Sequence, residues 1–148
     1  MSDDPLPQMQ QHPLECAWDF YAHPMSDPHT YRTAYMHVAR VGTCEEWGAL
    51  WAHLPGAEVF LAHQVCIQTD QKTRIVSFSF FRDGAKPEWE DPANHGGTTL
   101  SVRAHLPSKE AREAWTALCA DCARGAADDV VGVQVTQKWG GSLKFDVW

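Results

Sequence analysis

The sequence predicts an α+β fold, in which an antiparallel β-sheet carries helices on one face and leaves the other face free for a ligand. The strand patterns are short and hairpin-like, two segments have helical periodicity, and no regular strand–helix–strand alternation appears. The 148 residues, 44% of them hydrophobic, fit one globular domain with its own core. We expect a disordered tail at 1–11 and a single domain at 12–148.

The strand predictions rest on alternating polar and apolar residues, and on the turn residues that separate these runs. Two strands are expected before the first helix, three between the helices and two after the second helix. The predicted strands are 15–22, 31–40, 59–67, 74–81, 98–105, 130–137 and 142–148.

The first predicted helix spans 43–54, where Thr43 is the N-cap candidate and Glu46 stands at capping-box spacing. Its apolar stripe is Trp47, Leu50, Trp51 and Leu54. The second helix is predicted from 108 to about 124, with Ser108 as its expected cap after Pro107. Its apolar stripe is Ala111, Trp115, Leu118 and Cys122.

Composition limits the classes of partner and location. The net charge of -7 argues against a broad basic face for long nucleic acid, although a few placed cations can still hold one nucleotide. Five cysteines lack the regular spacing of a disulfide framework, and the acidic, polar N-terminus is not a secretory signal. No apolar run is long enough to span a membrane. We expect reduced thiols and a cytoplasmic, possibly also nuclear, protein.

A long polar loop at 82–97 holds the first candidate binding feature, Trp89 followed by Glu90. A guanine presents two adjacent N–H donors on its Watson–Crick edge, and one ionised carboxylate accepts both while an indole stacks on the base. Taken alone, the dipeptide is more often a Trp that covers a sheet edge beside a solvated acid.

The last predicted strand holds the second feature. Its alternation places Lys144, Asp146 and Trp148 on one face, opposite an apolar set that we expect to be buried. Lys138 stands just before the preceding hairpin turn. Two lysines near the mouth of a sheet can hold phosphates as point charges, although a solvated strand face is the commoner explanation of such a pattern. The apolar set is Leu143, Phe145 and Val147.

Catalytic and metal-binding motifs are weak. None of the phosphate-loop, nucleophile-elbow, zinc-protease or dinucleotide motifs occurs. Cys119 and Cys122 form a CxxC with His63 and Cys66 as further ligand candidates, but the cysteine pair lies mid-helix, where core packing is the usual role. A hydrolase of nucleotides would need paired carboxylates on one helix face, whereas the first helix has two adjacent glutamates, Glu45 and Glu46. We expect a protein that is not an enzyme and that uses no cofactor or metal.

Six motifs in order resemble those of the eukaryotic translation initiation factor 4E family, the mRNA cap-binding proteins. The match in the long loop is the most specific, because it resembles the family pattern F-x-D-G-I-x-P-x-W-E-D, with Ala85 in place of the Ile. Order and spacing agree from His12 to Trp148. The motifs are HPLECAWDFY (12–21), TCEEWGALW (43–51), FFRDGAKPEWED (80–91), HGGTTLSV (95–102), AWTALC (114–119) and DDVVGVQV (128–135).

The resemblance implies a curved antiparallel sheet with helices on its convex face and a 7-methylguanosine cap between two aromatic rings on its concave face. N7-methylation makes the base cationic, so the rings gain cation–π energy as well as stacking. The second ring falls at Tyr31, where the family usually has Trp, with Tyr35 as the alternative. The implied contacts are Tyr31 and Trp89 for stacking, Glu90 for the guanine edge, Trp148 for the N7 methyl, and Lys138 and Lys144 for the triphosphate.

The resemblance also implies partners on the convex face, either an initiation factor 4G-type scaffold or a 4E-binding regulatory protein. The helix Trp that docks such partners in the family aligns with Gly48, which makes this surface a departure from the pattern. The implied partner surface is His12, Pro13, Leu14, Cys44, Trp47 and Gly48.

The expected function is therefore cap binding in translation initiation or its regulation by a monomer that needs no membrane. The alternative is a protein with a weakened pocket, which acts as a scaffold or translational repressor mainly through protein contacts. The ratio of cap affinity to partner affinity separates the two.

Overall fold

The computed structural model describes residues 10–24, 35–54, 75–88, 96–126, 128–138 and 142–148. Within these ranges six strands form one curved antiparallel sheet, in the spatial order second, first, third, fifth, sixth and fourth along the chain. The strands are β1 (Pro13–Pro24), β2 (Met36–Thr43), β3 (Ile75–Arg82), β4 (Leu100–Ala104), β5 (Gly132–Gln137) and β6 (Leu143–Val147). The helices are α1 (Cys44–His53) and α2 (Ser108–Ala123).

The predicted α+β class with an antiparallel sheet is confirmed. Six of the seven predicted strands coincide with observed ones to within a few residues, apart from the beginning of the second, whose residues 31–34 are not described. The predicted strand at 59–67 lies outside the described residues. Sequence order and spatial order differ, because β4 pairs with β6 and not with β3.

Alternation along the strands separates two layers. The main core lies between the sheet and the helices, where Trp18 and Phe80 stack with ring centroids 5.2 Å apart and Phe20 meets Trp115 of α2. β6 contributes Leu143 and Phe145 to this core, as its alternation predicts. In the described ranges, both helices therefore cover one face of the sheet, the convex face, and the concave face carries the opposite side chains of each strand.

Helix α1 begins as its sequence predicts. Thr43 Oγ1 accepts a hydrogen bond from the Glu46 backbone N–H at 3.1 Å, the first half of a capping box. The Glu46 carboxylate accepts from the Gly42 backbone N–H at 2.7 Å, one residue before the usual partner. The helix ends where Leu54 becomes extended before Pro55.

Helix α2 corrects one prediction. Its N-cap is Pro107, and Ser108 is the first helical residue, so Ser108 is not the cap. Pro107 has a φ of -56°, which leads into a helical turn, and its carbonyl accepts from the Ala111 N–H at 3.0 Å. The predicted stripe faces the core and also includes Cys119. Among the described residues, neither helix has the length and apolar character that a bilayer span requires.

Candidate functional site

A second, smaller aromatic cluster lies on the concave face. Its buried members are Tyr21, Phe81 and Ala85, and Trp148 packs against them. The Phe81 and Trp148 rings meet edge to face, with centroids 5.3 Å apart and planes at 82°. The sheet thus carries an aromatic cluster on the side on which the described helices do not pack, with Trp148 as a partly exposed member.

Gly132 makes room for this cluster. A Cβ at this position would lie 2.4 Å from Phe81 Cδ1, a separation that packed side chains do not reach. Only a glycine on β5 lets the Phe81 ring cross the neighbouring strand toward Trp148. The backbone of Trp148 is fixed there too, because its N–H donates to the Gly132 carbonyl at 2.9 Å.

Tyr35, just before β2, contacts the described beginning of the long loop. Its ring meets the edge of Tyr21 with centroids 5.3 Å apart, and its hydroxyl donates to Glu88 Oε1 at 2.6 Å. Glu88 directly precedes Trp89, so this bond holds the described end of the long loop against the start of β2. Whether Tyr35 serves as the second stacking ring stays a prediction.

The predicted phosphate contacts lie at the other side of the concave face. Lys144 and Trp148 share one face of β6, as predicted, with Asp146 between them. Lys138 stands at the base of the hairpin, where its backbone N–H donates to the Ser142 carbonyl at 2.8 Å. Their contacts with a triphosphate remain predictions.

Asp146 is buried, whereas a solvated strand face, the commoner explanation of the sequence pattern, would leave it exposed. It is 5% exposed and accepts a hydrogen bond from Ser101 of β4, while Lys144 Nζ lies 3.3 Å from its Oδ1. The carboxylate is thus held by a neighbouring strand, and the Lys144 ammonium lies close enough to balance its charge.

A polar network occupies the middle of the concave face. His23 Nε2 and Ser79 Oγ are 2.7 Å apart, and Ser77 Oγ donates to the Val135 carbonyl at 2.8 Å. Gln134 Nε2 donates to Ser77 Oγ at 2.9 Å. Burial lowers the pKa of His23 to about 4, so the imidazole is neutral at physiological pH. The polar alternation of β3 places Ser77 and Ser79 on this face, but only the strand register identifies their partners.

Three predicted residues lie outside the described parts of the chain. They are Tyr31, Trp89 and Glu90, the two stacking rings and the guanine acceptor that the resemblance implies. Their roles stay predictions from the sequence.

Residues of the predicted partner surface lie near the beginning of α1, and their role in partner binding stays a prediction. The His12 carbonyl accepts from the Cys44 N–H at 2.9 Å, and Pro13 pairs with Thr43, so the start of β1 lies beside the start of the helix. His12 Nδ1 lies 2.6 Å from Glu45 Oε1, and this bond lowers the pKa of Glu45 to about 2. Leu14 packs against the core next to them.

Trp47, which belongs to the predicted partner surface, is turned partly inward. Its ring stacks on Trp51 with centroids 3.8 Å apart and planes at 15°. Trp51 Nε1 in turn donates to Thr116 Oγ1 of α2 at 2.9 Å. At Gly48 a Cβ would meet nothing within 4 Å, so the position that aligns with the family's docking Trp is open.

The cysteine pair of α2 is part of the core. Burial raises the pKa of both thiols, with Cys122 at about 12, so they remain protonated and unreactive. His63 and Cys66 lie outside the described residues. Within the ranges that the structure covers, no three His, Cys, Asp or Glu side chains gather in a way that would hold a metal.

Comparison with known proteins agrees with this architecture. The structure is similar to Ascaris suum eIF4E-3 in complex with an m2,2,7G cap, with a TM-score of 0.73, 20% identity, and coverage of 94% of this chain and 73% of that one. It is similar to C. elegans eIF4E-3 in complex with the 4E-binding protein Mextli, with a TM-score of 0.71, 19% identity, and coverage of 94% and 75%. It is also similar to a schistosome eIF4E complexed with m7GpppG and 4E-BP, with a TM-score of 0.72, 18% identity, and coverage of 93% and 71%.

No curated protein matched the sequence at a significant level. The model of the family described as eukaryotic initiation factor 4E, in contrast, matches residues 13–148, almost the whole chain. Together with the curved sheet and the helices on its convex face that the described residues form, and with the order of the six motifs, this match shows that the chain belongs to the eukaryotic initiation factor 4E family.

Proposed function

We propose that this chain binds the 7-methylguanosine cap of mRNA on its concave face and acts in translation initiation or its regulation. Family membership supports the proposal, and so do the similar solved structures, whose ligands include an m2,2,7G cap and m7GpppG. The chain acts as a binding protein and not as a catalyst. We place it in the cytoplasm, possibly also in the nucleus, as a monomer.

The observation that carries the proposal is the juxtaposition of aromatic and cationic side chains on β6. Lys144 of β6 and Trp148, directly after β6, lie on the concave face, on which neither described helix packs. They are four residues apart, which is about 13 Å along a strand. A cap presents a cationic base followed by a chain of phosphates. An indole for the methylated base and an ammonium for the phosphates suit that ligand.

The finer mechanism rests on the sequence. Trp89 and Tyr31 stack on the two faces of the base, and Glu90 accepts the guanine N1 and N2 protons. Trp148 contacts the N7 methyl, and Lys138 joins Lys144 at the triphosphate. Tyr35 takes the place of Tyr31 if the loop before β2 is shifted.

The test is a titration of intrinsic Trp fluorescence with 7-methylguanosine triphosphate and, in parallel, with GTP. We expect strong quenching by the methylated ligand only. Trp89→Ala should abolish binding, and Glu90→Ala should remove the preference for guanine over adenine in methylated analogues. Glu113→Ala, which removes an exposed carboxylate from α2, is the matched control and should bind like the wild type. Equal or absent quenching by both nucleotides contradicts the proposal.

The convex face is the basis of a second proposal, concerning the partner. Two of the similar structures contain a 4E-binding protein, Mextli or 4E-BP. We propose that the patch around His12, Glu45 and Trp47 docks a 4G-type scaffold or a 4E-binding regulatory protein. A chain that binds such a peptide but no cap would act as a scaffold or translational repressor through this patch.

A further inference from the structure

Asp146 stands at a position where an anionic ligand is expected. It lies on the concave face of β6, between the predicted phosphate contact Lys144 and the predicted methyl contact Trp148. The cross-strand neighbours of Asp146 are Ser101 on β4 and Gln134 on β5. A negative charge in this place affects both ends of a cap, whose base is cationic and whose phosphates are anionic.

The carboxylate cannot move aside. It is 5% exposed, and Ser101 Oγ donates a hydrogen bond to the same Oδ1 atom that lies 3.3 Å from Lys144 Nζ. Lys144 is the flexible partner of the pair, because its side chain is 30% exposed against 8% for that of Asp146. An approaching phosphate therefore has to share Lys144 with Asp146 or draw it away.

Both outcomes reduce the affinity that Lys144 gives to a phosphate. A shared ammonium is already partly neutralised, whereas a displaced one leaves a buried carboxylate without its cation, which is costly. The cationic base near Trp148 is attracted by the same carboxylate.

On the premise of the proposed cap binding, we propose that Asp146 is a specificity-determining residue. It competes with the cap phosphates for Lys144. The affinity therefore depends less on the number of phosphates and more on the charged base. The wild-type protein then gains little affinity from a second and third phosphate.

The test uses 7-methylguanosine mono-, di- and triphosphate with the full chain. Asp146→Asn keeps the shape and the acceptor for Ser101 but removes the charge. We expect the ratio of triphosphate to monophosphate affinity to rise about threefold to tenfold in this variant. In a Lys144→Met background the same substitution should change the ratio by less than twofold, because the competition is gone.

Asp121→Asn is the matched control. It removes the same charge from an exposed residue of α2, on the convex side, and changes the net charge equally. The ratio in this variant should equal that of the wild type. An equal rise in both variants would overturn the proposal, since the effect would then come from net charge alone.

The remaining outcomes separate the two proposals. A wild type that binds none of the methylated nucleotides refutes cap binding itself. A wild type that binds them, with a ratio that Asp146→Asn leaves unchanged or lowers, refutes only the role of Asp146. If thermal unfolding shows that the Asp146→Asn variant is not folded, the single variants Lys144→Met and Lys138→Met test the role of Asp146 instead. Lys144→Met should then lower the ratio less than Lys138→Met, and an equal or larger loss refutes the proposal.

Discussion

His23 is a buried histidine that sits among polar groups on the concave face. Its Nε2 atom lies 2.7 Å from Ser79 Oγ, and its ring centroid lies 5.9 Å from that of Tyr35. Because burial lowers its pKa from 6.5 to about 4, the unfolded chain binds a proton between these values that the folded chain does not. The contribution of His23 to the free energy of unfolding is therefore fully present above pH 6.5 and is lost as the pH falls toward 4.

We therefore expect His23→Gln to flatten the pH dependence of stability. Gln can still bond to Ser79 but does not titrate. Between pH 7 and pH 4 the wild type should lose up to about 3 kcal/mol more than the variant. Urea unfolding of both proteins at a series of pH values measures this difference. If the free energy of unfolding of the two proteins changed with pH in parallel, His23 would be protonated in the folded state as well.

Gly132 is a second residue whose role depends on its neighbours. Gly132→Ala places a methyl group 2.4 Å from Phe81 Cδ1, so the ring or β5 has to shift. We expect a loss of about 1–3 kcal/mol in the free energy of unfolding. A shift of Phe81 should also disturb Trp148 and weaken cap binding. Gly84→Ala makes a useful comparison in the same assays, because it adds a methyl in open space and only strains the backbone at positive φ.

The sequence could predict the faces of these residues but not their partners. Alternation alone places Lys144 and Trp148 on one side of β6. The His23–Ser79 bond and the Ser101–Asp146 bond join residues 56 and 45 positions apart, so they require the register of the strands. The buried state of Asp146 was missed for the same reason, since an isolated strand pattern treats a charged residue as solvated.

At the scale of the element, α1 shows how well local signals work. The Thr43 cap and the stripe of Trp47, Leu50 and Trp51 are encoded within one segment, and the structure contains both. The predicted N-cap of α2, Ser108, was wrong. Ser is a frequent N-cap residue, whereas Pro107 has no side-chain acceptor and so gives no capping signal in the sequence. The helix instead begins from the preset φ of the proline.

Gly48 gives a prediction for the whole helix. A Cβ there meets nothing within 4 Å, so Gly48→Ala gains helix propensity without a clash. We expect about 1 kcal/mol of added stability, measured by thermal unfolding. Cap affinity should not change, because α1 lies on the opposite face of the sheet. A destabilised variant would show that the open space at Gly48 is filled in solution.

The same position tests the partner surface. Gly48→Trp restores the residue type that the family uses for docking, whereas Gly48→Ala controls for the helix effect. If the patch docks a 4E-binding peptide, the Trp variant should bind it at least tenfold more tightly than the Ala variant in isothermal titration. Equal affinities would mean that this chain uses a different surface.

At the scale of the whole molecule, the antiparallel α+β class was predictable because it depends on patterns repeated over many residues. The position of β4 at the sheet edge was not, since pairing β4 with β6 is a long-range choice. The base-binding side of the site was predicted at Trp89 and Glu90 from the motif in the long loop, and at Tyr31 from its distance to the first-helix motif. All three residues lie outside the described parts of the chain.

Net charge leads to a prediction at the same scale. With -7 overall and two lysines assigned to phosphates, a capped oligonucleotide should gain little from general attraction. The plot of log affinity against log salt concentration should have a slope of about -1.4, the value for two phosphate contacts on a single strand. A control oligonucleotide without a cap should bind too weakly to measure. A much steeper slope would reveal an extended RNA path across the surface.

The stacked pair Trp47 and Trp51 has an optical consequence. The chain has seven tryptophans, and four of them, Trp18, Trp47, Trp51 and Trp115, belong to the layer between the helices and the sheet. A nucleotide on the concave face does not reach these indoles, so a large part of the emission persists at saturation. Residual Trp fluorescence at the end of a titration therefore comes from these indoles and does not measure the fraction of protein that is able to bind the nucleotide.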